Sequence, residues 1–204
     1  LVTDEVFKNL SDTQTPQGIL ALVKQYHYTL EEVAGGSRKS AQAEDLQEKP
    51  ALLMVLETIQ DPGNLGTILR AGEGAGVTGI VMDANTADIY NPKVIRSTMG
   101  SVLRMPFVYV ENLHETLEEL KKKKIRLFAA HLQGKHAYDQ EDYTGPAAFL
   151  IGNEGNGLTE ETAAMADTYI RIPMEGRVES LNAAVAASVL MFEAARQRRN
   201  HTGK

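Results

Sequence analysis

From residue 51 onward, short apolar runs alternate with longer stretches whose apolar positions recur at helical spacing. The runs at 52–56, 80–82, 107–110, 126–130, 148–151 and 169–172 have the length and near-continuous apolar character of strands buried on both faces. Between them, the patterns at 64–75, 91–98, 113–123, 160–166 and 181–199 predict helices. Strands alternating with helices imply an α/β domain with a mostly parallel sheet and helices on both faces. Ligands in such sheets sit beyond the carboxyl ends of the strands. The loops after Leu56, Ala130, Ile151 and Ile172 are therefore the places to look for chemistry. The last predicted helix is apolar or small nearly all round, which predicts burial on most faces, within the chain or between subunits.

The first fifty residues differ. Residues 17–27 hold a short apolar segment, and residues 31–50 are polar, with Gly35 and Gly36 among many charges. The expected organisation is an N-terminal remnant (1–30), a linker (31–50) and a main domain (51–204). The sequence opens at Leu1 rather than Met, and it is read as a fragment.

Composition narrows the function classes. The 204 residues include no cysteine, which excludes disulfides and thiolate chemistry. No segment has the length and apolarity of a membrane span or the pattern of a signal peptide, so the cytoplasm is the default location. The five histidines show no paired ligand spacing, and no metal is expected. His131 ends a strand and could face the cleft. The net charge of −6 argues against a general nucleic-acid binder. However, segments 91–126 and 171–204 are net basic, with Lys93, Arg96, Arg104, Arg171, Arg177, Arg196, Arg198 and Arg199, and could form a phosphate-facing patch. The run Lys121 to Lys124, at the end of a predicted helix, is better read as complementing the helix dipole.

Gly74-Ala75-Gly76-Val77-Thr78-Gly79 matches a dinucleotide-binding pattern but sits after a helix and before a strand, the reverse of what pyrophosphate binding needs. A turn is the expected reading. Other stretches fit the cleft better. In Gln60-Asp61-Pro62-Gly63-Asn64-Leu65-Gly66, a turn leads into a helix that starts at Asn64, with Arg70 in its second turn. Arg70 lies among apolar and small neighbours and needs a carboxylate or phosphate partner. In Ile151-Gly152-Asn153-Glu154-Gly155-Asn156-Gly157, a strand runs into a glycine-rich loop, and Thr159 caps the next helix. In Ile172-Pro173-Met174-Glu175-Gly176-Arg177-Val178-Glu179-Ser180-Leu181-Asn182-Ala183, a strand ends and Ser180 or Asn182 starts the last helix. An asparagine inside an apolar helix needs hydrogen-bond partners.

Together and in this order, these blocks resemble the SpoU-type (TrmH-like) RNA 2′-O-ribose methyltransferases of the SPOUT class. The resemblance covers about residues 51–199. A further stretch, Val94-Ile95-Arg96-Ser97-Thr98-Met99-Gly100-Ser101, is similar to the family's Arg/Ser-rich segment near the RNA. Residues 1–30 look like the tail of a preceding RNA-binding domain. The resemblance implies a deep trefoil knot in the C-terminal part, a homodimer, and S-adenosylmethionine as cofactor. It implies cofactor contacts from Ala130, His131, Gly152, Asn153, Glu154, Ile172, Pro173, Met174, Leu181, Asn182 and Ala183. It aligns Asn64, Arg70, Glu154, Ser180 and Asn182 with the catalytic site, and Arg70, Arg96, Ser97, Arg104 and Arg177 with the RNA. A guanidinium is effectively always protonated, so Arg70 is expected to grip a phosphate rather than act as a base. Glu154 is expected to fix Arg70 or a loop. Ribosomal RNA is the favoured substrate, with transfer RNA as the alternative. The rival readings are a catalytically silent RNA-binding module of the same fold, and a small-molecule enzyme using a nucleotide cofactor.

Overall fold

Each of these apolar runs forms a strand. The structure, a computed structural model, describes residues 1–11, 15–35 and 50–202. In chain order its elements are α1 (Asp4–Leu10), α2 (Leu30–Ala34), β1 (Leu52–Leu56), α3 (Pro62–Ala75), β2 (Gly79–Asp83), α4 (Pro92–Thr98), β3 (Phe107–Val110), α5 (Leu113–Lys122), β4 (Arg126–Ala130), β5 (His136–Ala137), β6 (Ala147–Ile151), α6 (Glu160–Ala164), β7 (Thr168–Arg171) and α7 (Ala183–Thr202). The strands form one seven-stranded sheet in the order β3-β2-β1-β6-β4-β7-β5. Every pairing is parallel, as between Met54 and Ile80 and between Met54 and Phe149.

Alternate side chains point to opposite faces of a strand, and here each face has its own apolar core. Leu52, Met54 and Leu56 join Leu65, Ile68 and Leu69 of α3 and Leu190, Met191 and Ala194 of α7. Leu53 and Val55 join Leu113, Leu117 and Leu120 of α5, Ala163 of α6, and Val33 and Ala34 of α2. Helices therefore cover both faces, as the alternating pattern predicts.

Several expectations are corrected. The expected linker begins in a helix: Thr29 and Glu32 form a reciprocal capping box, and α2 buries Val33 and Ala34. Val33 lies so close to the sheet that a Cβ on Gly79 would meet its Cγ1 at 2.5 Å. Residues 36–49 of that linker lie outside the described residues. Helix α3 starts two residues before Asn64. Its cap is Asp61, whose side chain accepts from the Asn64 N–H, with Pro62 in the first turn. Gly76, at φ +83°, ends the helix, which accounts for the glycine pattern there as a turn. Helix α7 starts at Ala183 and is less buried than its composition suggests, since Val185 and Phe192 are about half exposed.

Three arginines of the basic segments are engaged within the chain. Arg198 is turned inward and donates to the carbonyls of Pro50, Ala51, Tyr143 and Gly145. Burial draws its pKa down to about 10, which leaves it charged at neutral pH. Arg196 pairs with Glu193, and Arg104 with Glu73. Ser97 faces the interior: its hydroxyl donates to the Val94 carbonyl, and a Cβ on Gly66 would collide with it at 1.7 Å. It sets the close approach of α3 and α4. Among the described residues, no helix is long and apolar enough to cross a membrane.

Candidate active site

The carboxyl ends of β1, β4, β6 and β7 open into two adjoining clefts. The larger, about 900 Å³, is lined by loops after β4, β6 and β7. The smaller, about 490 Å³, lies between the first turn of α3 and the start of α7. Glu154 and Ala183 line both, so the two spaces share a wall.

Glu154 joins the sequence blocks. Its Oε1 accepts from the Asp61 N–H at 3.0 Å and from Asn64 Nδ2 at 3.0 Å, and its Oε2 accepts from the Gln60 N–H at 3.2 Å. Asn64 Oδ1 in turn accepts from Asn182 Nδ2 at 2.9 Å. The Asn182 Oδ1 accepts from the N–H groups of Ala184 and Val185, which makes Asn182 the cap of α7 rather than a residue buried inside it. Three segments far apart in sequence are thus locked by one chain of hydrogen bonds. Desolvation pushes the Glu154 pKa up, but the donors from Asn64, Asp61 and Gln60 outweigh it and hold the carboxyl below its ordinary value. With its lone pairs spent on fixed donors, Glu154 organises the site and is ill suited to take a proton.

The glycine-rich loop is equally constrained. Asn153 Oδ1 accepts from the N–H groups of Gly155 and Asn156, and the Gly157 N–H returns to the Asn153 carbonyl at 2.8 Å. Gly152 is buried beneath this turn, where a Cβ would lie 2.0 Å from the backbone of Gly157 and Leu158. The loop is closed at its far end by Glu57, whose carboxylate accepts from the N–H and hydroxyl of Thr159 and from the hydroxyl of Thr162.

All but one of the cofactor-binding candidates line the larger cleft: Ala130, His131, Gly152, Asn153, Glu154, Ile172, Pro173, Met174, Leu181 and Ala183. The exception, Asn182, lines the smaller. Ser180 and Arg177 also line the larger cleft. Arg70 lines neither; it is exposed on α3 and makes no ion pair with any described residue. Glu154 therefore fixes a loop and not Arg70. Arg96 is exposed on α4. The sequence reading missed the Gln60 and Asp61 amides, since backbone donors leave no side-chain pattern. The Asp61-Pro62 pair was the available signal, as a cap followed by proline at the first helical position.

The larger cleft fits a nucleoside-bearing cofactor. Its volume falls within the roughly 300–1,000 Å³ typical of small-molecule sites. The 152–158 loop folds tightly on itself because Gly152 carries no side chain, and Leu132, Ile172 and Leu181 supply apolar cover.

Parallel sheet, linked motif loops and a cleft beyond the carboxyl ends of the strands define an α/β protein with a small-molecule site, and comparison with known proteins narrows this. Residues 51–192 match the SpoU rRNA Methylase family. The chain is 31% identical over 192 residues to the 23S rRNA (guanosine(2553)-2′-O)-methyltransferase RlmP of Bacillus subtilis, covering 94% of this chain and 70% of that protein. It is 39% identical over 148 residues to the 23S rRNA (guanosine-2′-O-)-methyltransferase RlmB of Xylella fastidiosa, covering 72% of this chain and 59% of that protein. The crystal structure of an AdoMet-bound rRNA methyltransferase from Sinorhizobium meliloti superimposes with a TM-score of 0.82 at 31% identity, over 95% of this chain and 70% of that one. The chain belongs to the SpoU rRNA methylase family.

Proposed function

We propose that the protein transfers a methyl group from S-adenosylmethionine to a ribose 2′-hydroxyl of RNA, with ribosomal RNA as the substrate. The observation that carries this reading is the hydrogen-bonded chain Glu154–Asn64–Asn182 on the shared wall of the two clefts. When bound, S-adenosylmethionine supplies a methyl carbon already activated by the sulfonium: its S–C bond would break as the C–O bond forms, leaving a thioether, and the hydroxyl proton would pass to solvent, so the protein's task is mainly alignment. The larger cleft would hold the cofactor, through Ala130, His131, Gly152 and Leu181 among others. The smaller cleft would receive the ribose. Asn64 and Asn182 each keep an amide hydrogen beyond those spent on the chain, and these orient the sugar at the rim. Ser180, on the larger cleft, makes no hydrogen bond with any described residue, so its hydroxyl is available to the reacting group. The 2′-hydroxyl as target selects RNA over DNA. The names of the Bacillus and Xylella relatives support ribosomal RNA; mapping ribose methylation in total RNA with and without the gene would instead reveal transfer RNA if that is the substrate. RNA modification is cytoplasmic work in this reading, and Arg96 and Arg177 serve as phosphate contacts.

Arg70 completes the site from a second copy of the chain. Support comes from its position outside both clefts of its own chain and from the half-exposed Val185 and Phe192 on α7, which a homodimer would cover. The knot expected from the resemblance belongs to the same reading.

Mixing two inactive variants tests this. Arg70→Ala alone is expected to cut turnover at least about 100-fold while S-adenosylmethionine affinity is kept, because one positioned guanidinium is lost. Arg70→Ala chains mixed with Glu154→Gln chains would regain about a quarter of wild-type activity, since half the dimers are mixed and each has one intact site. No recovery would place Arg70 in its own chain's site, and near-normal turnover of Arg70→Ala would remove it from the mechanism.

A further inference from the structure

Thr58, in the turn that leaves β1, stands at φ +56°. A β-branched residue is an outlier in this left-handed region, because its side chain crowds the backbone. Something must hold it there. Asp83, at the carboxyl end of β2, grips it twice. The Thr58 N–H donates to Asp83 Oδ1 at 2.9 Å, and the Thr58 hydroxyl donates to Oδ2 at 2.8 Å. The Thr86 hydroxyl donates to the same Oδ1 at 2.7 Å and accepts from the Ile59 N–H at 3.3 Å. Asp83 and Thr86 are 8% and 5% exposed and line neither cleft. No step of the proposed reaction uses them.

The turn they hold aims three backbone groups at the site. The Thr58 carbonyl accepts from Asn153 Nδ2 at 2.9 Å. Beyond Ile59, the Gln60 and Asp61 N–H groups meet the two oxygens of Glu154. We propose that Asp83 is a positioning residue: by fixing Thr58 in the left-handed conformation it sets the Gln60 and Asp61 amides against Glu154 and the Thr58 carbonyl against Asn153. Glycine at position 58 would permit this conformation. Threonine adds a hydroxyl that Asp83 can hold, so the pair enforces what glycine would only allow. The effect on turnover rests on the methyltransferase reading of the clefts; the effect on the turn itself does not.

The test compares the wild-type chain with Asp83→Ala, Asp83→Asn and the double variant Thr58→Gly/Asp83→Ala. Amide hydrogen exchange at Gln60 and Asp61, without cofactor, reads the turn directly. Turnover and KM with the RNA read its consequence, and thermal midpoints report stability. In Asp83→Ala the two amides exchange at least about tenfold faster, because their opening is no longer opposed by the clamp. Turnover falls about tenfold with KM for RNA little changed, as expected from a misplaced site group. Asp83→Asn keeps an acceptor for the Thr58 N–H but loses the one for its hydroxyl, and is expected to fall between. The double variant returns both exchange and turnover to within about threefold of wild type, because glycine takes positive φ unaided. A role confined to supporting β2 would lower the thermal midpoints of Asp83→Ala and the double variant alike, with no recovery of turnover, and would overturn the proposal. So would unchanged protection of Gln60 and Asp61 in Asp83→Ala and Asp83→Asn. If the wild-type protein methylated no RNA, the functional reading would fail, while amide exchange would still decide whether the clamp exists.

Discussion

On one side of the larger cleft, residues 152–159 are tied to residues 57–64 behind them by hydrogen bonds of Asn153, Glu154 and Thr159 to Glu57, Thr58, Gln60, Asp61 and Asn64. On the other side, residues 173–181 make no hydrogen bond with any described residue, and Val178 is 63% exposed. Residues 152–158 of the first and most of 173–181 line the same space, while Gln60, Asp61 and Asn64 line the smaller cleft beside it. The first has its polar groups paired before any ligand arrives, so it can orient reactants without reorganising. The second has exposed backbone groups without partners among the described residues, which is the local signature of a segment that opens easily. A cofactor seated between them would find one wall set and would have to order the other. In the reading proposed above, that division puts the polar network on the ribose side. Methyl transfer needs alignment there, whereas cofactor entry and exit need a wall that gives.

The contrast predicts the largest losses on the paired wall. Glu154→Gln keeps the side-chain volume but replaces one acceptor oxygen with an N–H pair facing fixed donors. Turnover is expected to fall by about 100-fold or more, in the range of misplaced catalytic geometry, as read by methyl incorporation into RNA. The same variant checks the ionisation. The Glu154 pKa is depressed in the folded chain, so its contribution to stability is present above the ordinary 4.5 and is lost as pH falls through the lower folded value. Thermal midpoints of wild type and Glu154→Gln should therefore differ at neutral pH and converge only in that acid range. Next in size is Gly152→Ala. Its new Cβ would meet backbone of Gly157 and Leu158 at 2.0 Å, so the loop must shift. Overpacking of this kind costs about 1–3 kcal/mol. S-adenosylmethionine affinity by calorimetry should then drop about five- to hundredfold. Unchanged affinity would mean that the loop is not the preformed wall described above.

Much of the fold was legible because a parallel sheet buried on both faces leaves long apolar runs, as in Leu52–Leu56 with every residue buried. The strand β5 has two residues, His136 and Ala137, and no such run. Helix α2 was missed because its surroundings are polar, although Thr29 and Glu32 carry the spacing of a capping box. The inward turn of Arg198 has no signature that separates it from Arg196 or Arg199, since only the tertiary fold brings four carbonyls to one of the three. At the site, side-chain motifs led to Asn64, Glu154 and Asn182, which the fold brings together. What they could not convey is direction. Arg70 lies 6 residues beyond Asn64 on the same helix and misses both clefts, because that spacing carries it round to another face. The groups that hold Glu154 are partly backbone, and Asp83 reaches Thr58 only because β1 and β2 are neighbours in the sheet.

The smallest effect belongs to the open wall. Arg177 is exposed within residues 173–181 and lines the larger cleft. Trypsin should cut after Arg177 early in limited proteolysis, because cleavage follows local opening. S-adenosylmethionine should slow that cut, while amide exchange at residues 57–64 stays unchanged by the cofactor. Arg177→Ala, by contrast, is expected to weaken RNA binding only about two- to fivefold and to reduce the salt slope by about 1, the behaviour of a single phosphate contact. Cofactor affinity should hardly move, since that arginine lies among groups the cofactor orders rather than among those that fix it. If the cofactor protected both walls equally, residues 57–64 would be as unformed before binding as residues 173–181. The hydrogen-bonded side could then no longer be the template against which the other closes.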